Sequence, residues 1–349
     1  MGTDKNTDRD KDTENINIIE QANKVYSESY YPNTWFGKCI FISWYCETAS
    51  CKFCFRAYQD SNDGKVKKTP EQTKRSMASI LAEAFIAKKL GWRIEFLTGG
   101  CNSYPFEELL EIIKNVCAVY EEKIWINLGL FDKDQLEQLR PYVEGICASI
   151  ETTAPELHDK VCPDKPIKPY QEMLQSLDGF GFKRSACIII GLGEKKEDID
   201  SLFEFIEKTK LDRLTFYALK PVKGSKFDKS PEPKYYAWWI AQTRIRFPRL
   251  EIMAGLTPKN PGYAEWVLKA GANAITKFPA IRKFNSKQAK IVEQGVKKAG
   301  RVMQGSLTKM PRVHLNKEVD KLDLDKGLKA KLKQRLKIYL KKMKAKKAN

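Results

Sequence analysis

The chain has 349 residues, 42% hydrophobic and 30% charged, with a formal net charge of +18. No apolar run reaches the roughly 18 residues of a membrane span, so the composition predicts a soluble protein with no membrane association, large enough for one core plus appendages. Nine cysteines, an odd number, without a secretory leader argue against a disulfide scaffold and for a reducing, cytoplasmic setting. The positive excess calls for an anionic partner without bearing on fold.

In chain order, residues 1–15 are polar and mixed in charge and read as a disordered leader, and 16–37 as a short helix and its connection. From Lys38 onward, strand-like runs alternate with amphipathic helical runs. Strands are expected at 39–43, 93–97, 123–128, 145–150, 184–190, 213–219, 250–254 and 272–275. A helical stretch follows each, near 71–90, 106–120, 132–140, 169–179, 196–209, 234–246, 261–269 and 286–299. Eight such units predict a closed or nearly closed parallel (βα)8 barrel of TIM type, with chemistry at the carboxyl ends of the strands. A doubly wound open sheet is the alternative, but the first strand lacks a G-x-G-x-x-G turn. The chain thus divides into a leader with helix (1–37), a barrel (38–300) and a C-terminal segment (301–349).

After the first strand, Cys46, Cys51 and Cys54 fall at C-x4-C-x2-C spacing on one loop. An ordinary iron–sulfur cluster takes four thiolates, so three leave one iron open to an exogenous ligand. Structural zinc would need a fourth ligand, and His158 and His314 are neither paired nor near another short cysteine spacing. Phe53, just before the third cysteine, offers a flat apolar surface for an adenine. The other special residues fall on the same rim: Thr98-Gly99-Gly100-Cys101 after strand two, Ser149 and Glu151 ending strand four, and Gly191-Leu192-Gly193-Glu194 after strand five. Paired glycines let backbone approach a ligand; alone they would read as a tight turn.

These motifs, in this order, resemble the radical S-adenosylmethionine (SAM) enzymes, whose usual triad is C-x3-C-x2-C, and within them the biotin-synthase-like branch. The resemblance implies a 4Fe-4S cluster on Cys46, Cys51 and Cys54, with SAM bound by Phe53, by Thr98, Gly99 and Gly100 at its methionine end, by Ser149 and Glu151 at its ribose, and by Ile190, Gly191 and Glu194 beside its adenine. Ile126-Asn127-Leu128-Gly129, Val222-Lys223-Gly224-Ser225 and Ala270-Gly271-Ala272-Asn273 resemble further landmarks of the family. Its activity is reductive cleavage of SAM to a 5′-deoxyadenosyl radical, which abstracts hydrogen from an unactivated carbon. Biotin synthase carries a second cluster, and its ligand positions here look like Leu97, Trp125 or a neighbour, a noncysteine residue upstream of Ile188, and Glu251, which disfavours biotin synthesis. A second cluster drawn from Cys101 with Cys39, Cys147, Cys162 or Cys187 is left open, although each alone reads as a small core residue. Cys117, on an outer helix, reads as structural.

Residues 301–322 form a mixed segment expected to cross one barrel mouth. Beyond Asp325 there is no acidic residue, while Leu328, Leu332, Leu336, Leu340 and Met343 recur at helical spacing with lysines on the other faces. This predicts a basic amphipathic helix, which is either a solvated face or a docking surface. Within the family the chain resembles subunits of archaeal two-component lipoyl synthases, which implies sulfur insertion, an electron donor of ferredoxin or flavodoxin type, an acidic lipoyl carrier protein and a paralogous partner subunit. The alternatives are an enzyme of the hydrogenase iron-guanylylpyridinol cofactor pathway, or biotin synthase. In another class stands a nucleic-acid-binding protein with a structural cluster, disfavoured because no RNA-binding module is present.

Overall fold

The computed structural model describes residues 5–58, 69–312 and 314–344, with side chains from residue 14. Nine strands form one sheet: β1 (Asn33–Phe41), β2 (Arg93–Thr98), β3 (Ile124–Asn127), β4 (Val143–Glu151), β5 (Lys183–Ile190), β6 (Arg213–Ala218), β7 (Glu251–Gly255), β8 (Ala274–Thr276) and β9 (Val302–Gln304). Every pairing is parallel. Strands β1 to β8 pair in chain order, and β1 pairs with both β8 and β2, which closes the barrel. The expected (βα)8 architecture is therefore present. Runs such as Ala186-Cys187-Ile188-Ile189-Ile190 are near-continuously apolar because a parallel strand is covered on both faces.

The register slips between Lys38 and Cys39, where Cys39 pairs with Phe96 after Lys38 has paired with Ile94. Glu95 is the extra residue of this bulge. It sits fully buried inside the barrel next to Phe96, while Ile94 and Leu97 pack outward.

Two barrel helices are each covered by a terminal helix, making a partial third layer. Met77–Lys89 is buried along almost its whole length because the C-terminal helix Lys326–Lys344 packs across it, burying Leu332, Leu336, Tyr339 and Met343. Each such side chain contributes roughly 2 kcal/mol. Pro233–Arg246 is covered in the same way by Lys5–Ser29.

That N-terminal helix corrects the disordered-leader reading over 5–15; residues 1–4 lie outside the described part. Asn15, Ile19, Ala22 and Tyr26 form the buried stripe, at helical spacing, that anchors it. Once this face is docked, extending the helix backward needs little further stabilisation. The segment after residue 300 joins the sheet as β9, alongside Asn33–Trp35. No helix among the described residues is long and apolar enough to cross a membrane.

Candidate active site

Strand β1 hands over to the cysteine loop where the Ile42 amide donates to the Thr98 carbonyl at 2.9 Å. The loop is then stapled to two other rim segments. The Glu47 amide donates to the Cys101 carbonyl at 3.1 Å and the Lys52 amide to the Val161 carbonyl at 2.9 Å. Its far end is tied back by Arg56, whose Nε donates to the Trp44 carbonyl at 3.1 Å. A Cβ on Gly100 would lie 2.0 Å from the Tyr45 carbonyl oxygen and 2.4 Å from Cys46 Cβ, so only glycine lets the loop seat here.

The neighbouring Cys101 thiol brings the Cys46 pKa down to about 5, and Cys162 acts likewise on Cys51, lowering it too. Burial pushes Cys54 up. Two of the five cysteines offered for a second cluster are thus immediate neighbours of the loop thiols.

Cys46, Cys51, Phe53, Cys54, Thr98, Gly99, Gly100, Ser149 and Glu151 all line one cavity of about 550 Å³. Phe53 rests on an apolar group that includes Leu192 and Leu219. Ser149 exchanges hydrogen bonds with the Asn127 amide at 2.9 and 3.2 Å. Glu151 stands at φ +70, a left-handed conformation costly for a non-glycine residue, and its Oε1 accepts from Lys165 Nζ at 2.7 Å. Both side chains of this pair are 11% exposed. Burial works against the Lys165 charge, but Glu151 outweighs it and the ammonium is held above the ordinary lysine value. Lys165 was not identified from sequence; the Pro163-Asp164-Lys165-Pro166 loop was the available signal.

Ile190, Gly191 and Glu194 do not line the cavity, although Ile189 does. Ile190 packs outward against the helix layer. The Glu194 carboxylate is consumed by its own turn, accepting from the amides of Gly191 at 2.8 and 3.0 Å, Leu192 at 2.9 Å and Gly193 at 3.2 Å. The capped turn places Leu192 in the same apolar group as Phe53.

Cys39, Cys147 and Cys187 lie deeper, in a buried group with Phe96 and Trp125, where Cys147 and Cys187 bring their sulfurs within 3.3 Å. The positions that the resemblance assigned to a second cluster are otherwise occupied. Leu97 faces outward, and the Trp125 ring fills the interior with the Arg213 guanidinium 3.9 Å from its centroid. Glu251 pairs with Arg213 at 2.5 Å. Cys117, on the outer helix, donates to the Tyr142 carbonyl at 3.2 Å.

Among the described residues no three His, Cys, Asp or Glu side chains are gathered closely enough to hold a metal ion. The donor chemistry nonetheless fits an iron–sulfur cluster. Three soft thiols from one loop open onto a cavity with room for a further ligand beside them.

The opposite wall, from the ends of β6 to β8, supplies groups that the sequence did not single out. Tyr217 donates to buried Glu95 at 2.5 Å, and Lys220, Lys277 and Arg282 line the cavity.

Residues 43–206 match the model of the Radical SAM superfamily. An uncharacterized protein of Methanocaldococcus jannaschii is 33% identical over 297 residues, covering 83% of this chain and 81% of that protein. Biotin synthase of Methanococcus aeolicus is 26% identical over 179 residues, 51% of this chain and 53% of the enzyme. Two solved structures share the fold. Methylornithine synthase has a TM-score of 0.61 at 22% identity, covering 74% of this chain and 76% of its own. The hydrogenase maturase HydG from Carboxydothermus hydrogenoformans has a TM-score of 0.65 at 16% identity, covering 95% and 84%. With the cysteine loop, the glycine pair and the strand-four carboxylate gathered on one cavity, this chain belongs to the radical SAM superfamily, on its biotin-synthase-like branch.

Proposed function

We propose that this enzyme abstracts hydrogen from an unactivated carbon of a substrate enclosed in the barrel, below a SAM molecule seated under the cysteine loop. One observation carries the reading: the three loop thiols and the expected methionine and ribose contacts open onto the same cavity of about 550 Å³. When bound, the 4Fe-4S cluster and SAM supply the 5′-deoxyadenosyl radical. The chain's own residues bind and shield. Cys46, Cys51 and Cys54 would hold the cluster, and Phe53 would stack the adenine. Ser149 and Glu151, oriented by Asn127 and Lys165, would accept hydrogen bonds from the ribose hydroxyls, with Gly99 and Gly100 presenting backbone to the amino-acid end. The test is anaerobic reconstitution followed by reduction with dithionite and quantitation of 5′-deoxyadenosine. About four irons per chain and product formation are expected, and an iron-loaded protein that never cleaves SAM would sink the proposal.

The finer reading is sulfur insertion into the acyl arm of an acidic lipoyl carrier, with a ferredoxin- or flavodoxin-type donor and a paralogous partner subunit. It is supported by the C-terminal helix, which docks its apolar stripe on the barrel and leaves Lys326, Lys331, Lys337, Lys341, Lys342 and Lys344 exposed. Complementary charge there would speed encounter and fix register. Truncation after Leu324 should raise the apparent KM for a carrier-bound substrate, most at low salt, and leave a short peptide substrate unaffected. Equal impairment of both would make the helix merely structural. The hydrogenase-cofactor and biotin readings share the abstraction step and differ in substrate.

A further inference from the structure

The two walls of the cavity are not alike in charge. On the cysteine-loop side the Glu151 carboxylate and the Lys165 ammonium satisfy each other, and Arg56 is committed to the carbonyls of Ser43 and Trp44. On the side built from the ends of β6 and β8, Lys220, Lys277 and Arg282 face the cavity. Among the described residues none of these three has a carboxylate within ion-pairing distance or a hydrogen-bond acceptor for its side chain.

Lys277 is the most deliberately placed. It follows β8 directly at φ +62, a backbone state that a lysine adopts only when its surroundings impose it. Its amide donates to Thr276 Oγ1 at 2.6 Å, and the Thr276 hydroxyl is itself bound to Glu95. The Nζ lies 4.5 Å from the Tyr217 ring centroid and 5.2 Å from that of Phe41. A Cβ on Gly255 would lie 2.4 Å from Tyr217 Cδ1 and 3.4 Å from Lys277 Cγ, so the glycine makes room for the ring and the lysine stem.

The nearby carboxylate does not neutralise this lysine by contact. Glu95 spends one oxygen on Tyr217 and the other on Thr276. Lys277 is exposed to the cavity; the protein around it disfavours its charge, but Cys39 and Glu95 favour it more and hold the ammonium above the usual lysine value. The same cavity is also lined by the apolar side chains of Phe41, Phe96, Leu128, Leu219 and Leu256.

We propose that Lys277, with Arg282 beside the same cavity, is a substrate-binding subsite for a carboxylate, so that the substrate is an amphipathic acid with an apolar body directed toward the cysteine loop. This rests on the radical SAM reading for what happens to the body, but the subsite itself is tested by binding. An unpaired ammonium facing a cavity gains a charge-assisted hydrogen bond from a carboxylate and gains much less from its neutral isostere. The amide-linked acyl arm of a lipoyl carrier has no free carboxylate, so this subsite goes with a free-acid substrate and an acid preference would count against that finer reading.

The experiment measures equilibrium binding of octanoate, octanamide and octyl phosphate to the full-length, cluster-reconstituted, SAM-loaded protein. Octanoate should bind about tenfold or more tighter than octanamide. K277M should abolish that preference, K277R should retain most of it, and R282M should reduce it. Thermal melting of each variant separates loss of the subsite from loss of the fold. Equal affinity of acid and amide for the wild type, or an undiminished preference in a folded K277M, would overturn the proposal. Octyl phosphate binding much tighter than octanoate would also overturn it, in favour of a phosphorylated substrate. Failure of SAM cleavage with the acid preference intact would strike the functional reading and leave the subsite standing.

Discussion

The two ends of the barrel use their cations in opposite ways. At the amino-terminal end each buried arginine among the described residues has a protein partner. Arg244, fully buried, donates to the carbonyls of Gly271 at 2.9 Å and Pro248 at 2.7 Å and to Asn273 Oδ1 at 2.5 Å. Arg301 lies 3.5 Å over the Tyr26 ring and donates to Asn23 Oδ1 at 3.1 Å. Arg213 pairs with Glu251 and covers Trp125. At the carboxyl-terminal end Lys220, Lys277 and Arg282 face the cavity without an ion-pair partner among the described residues. The base pairs its cations with protein groups, whereas the rim leaves three facing the cavity.

The sharpest break of this contrast comes from the loop thiols. C46A, C51A and C54A should each reduce 5′-deoxyadenosine formation to background while shifting the thermal midpoint by no more than a few degrees, because the loop lies outside the core. A variant that still cleaves SAM would contradict the ligand assignment.

At the base the expectation reverses. R244A should cost about 4 kcal/mol in urea unfolding, since it orphans several buried acceptors at once, and should leave SAM affinity of the still-folded fraction intact. A cost under about 1 kcal/mol would show that the base does not carry the stability assigned to it.

Glu83 sharpens the rule away from either end. Its carboxylate binds Lys38 and accepts from Arg75 Nη2 at 2.8 Å, and Arg75 also reaches Tyr339 of the C-terminal helix at 3.0 Å. Burial alone would raise its pKa, but Lys38 and Arg75 together bring it below the ordinary value. A depressed folded-state pKa stabilises above the unfolded value of about 4.3, and this contribution disappears as pH falls through the folded value. E83Q should therefore cost about 3 kcal/mol at pH 7, with the gap to wild type closing in acid. A gap independent of pH would remove the ion-pair explanation.

The smallest effect is expected at Gly100. G100A places a methyl group against Tyr45 and Cys46, which should cost about 2 kcal/mol and lower iron occupancy on reconstitution. Full occupancy with unchanged stability would mean that the loop can move aside freely.

The barrel was legible because each strand is an apolar run that parallel pairing buries on both faces, and an observed strand overlaps every predicted span. Strand β9 escaped because three residues, Val302–Gln304, carry no periodicity. The helix over 5–15 escaped because its first turns have no apolar residues and depend on a stripe that begins at Asn15. That the Glu194 carboxylate closes on the amides of its own turn is not visible in the turn sequence.

The sequence by itself determined the order of the strand–helix units, the C-x4-C-x2-C loop and its position after the first strand, because these depend on local residue pattern and spacing. Only the tertiary structure decided which charges meet. Lys165 lies 14 residues beyond Glu151, Tyr217 lies 122 beyond Glu95, and Thr276 lies 181 beyond Glu95. Lysine and glutamate normally read as exposed, and nothing local marks the few that barrel closure turns inward. The physical reason is that strand pattern is set by burial of single residues, whereas the chemistry of the cavity is set by pairs that the chain brings together only when β1 meets β8.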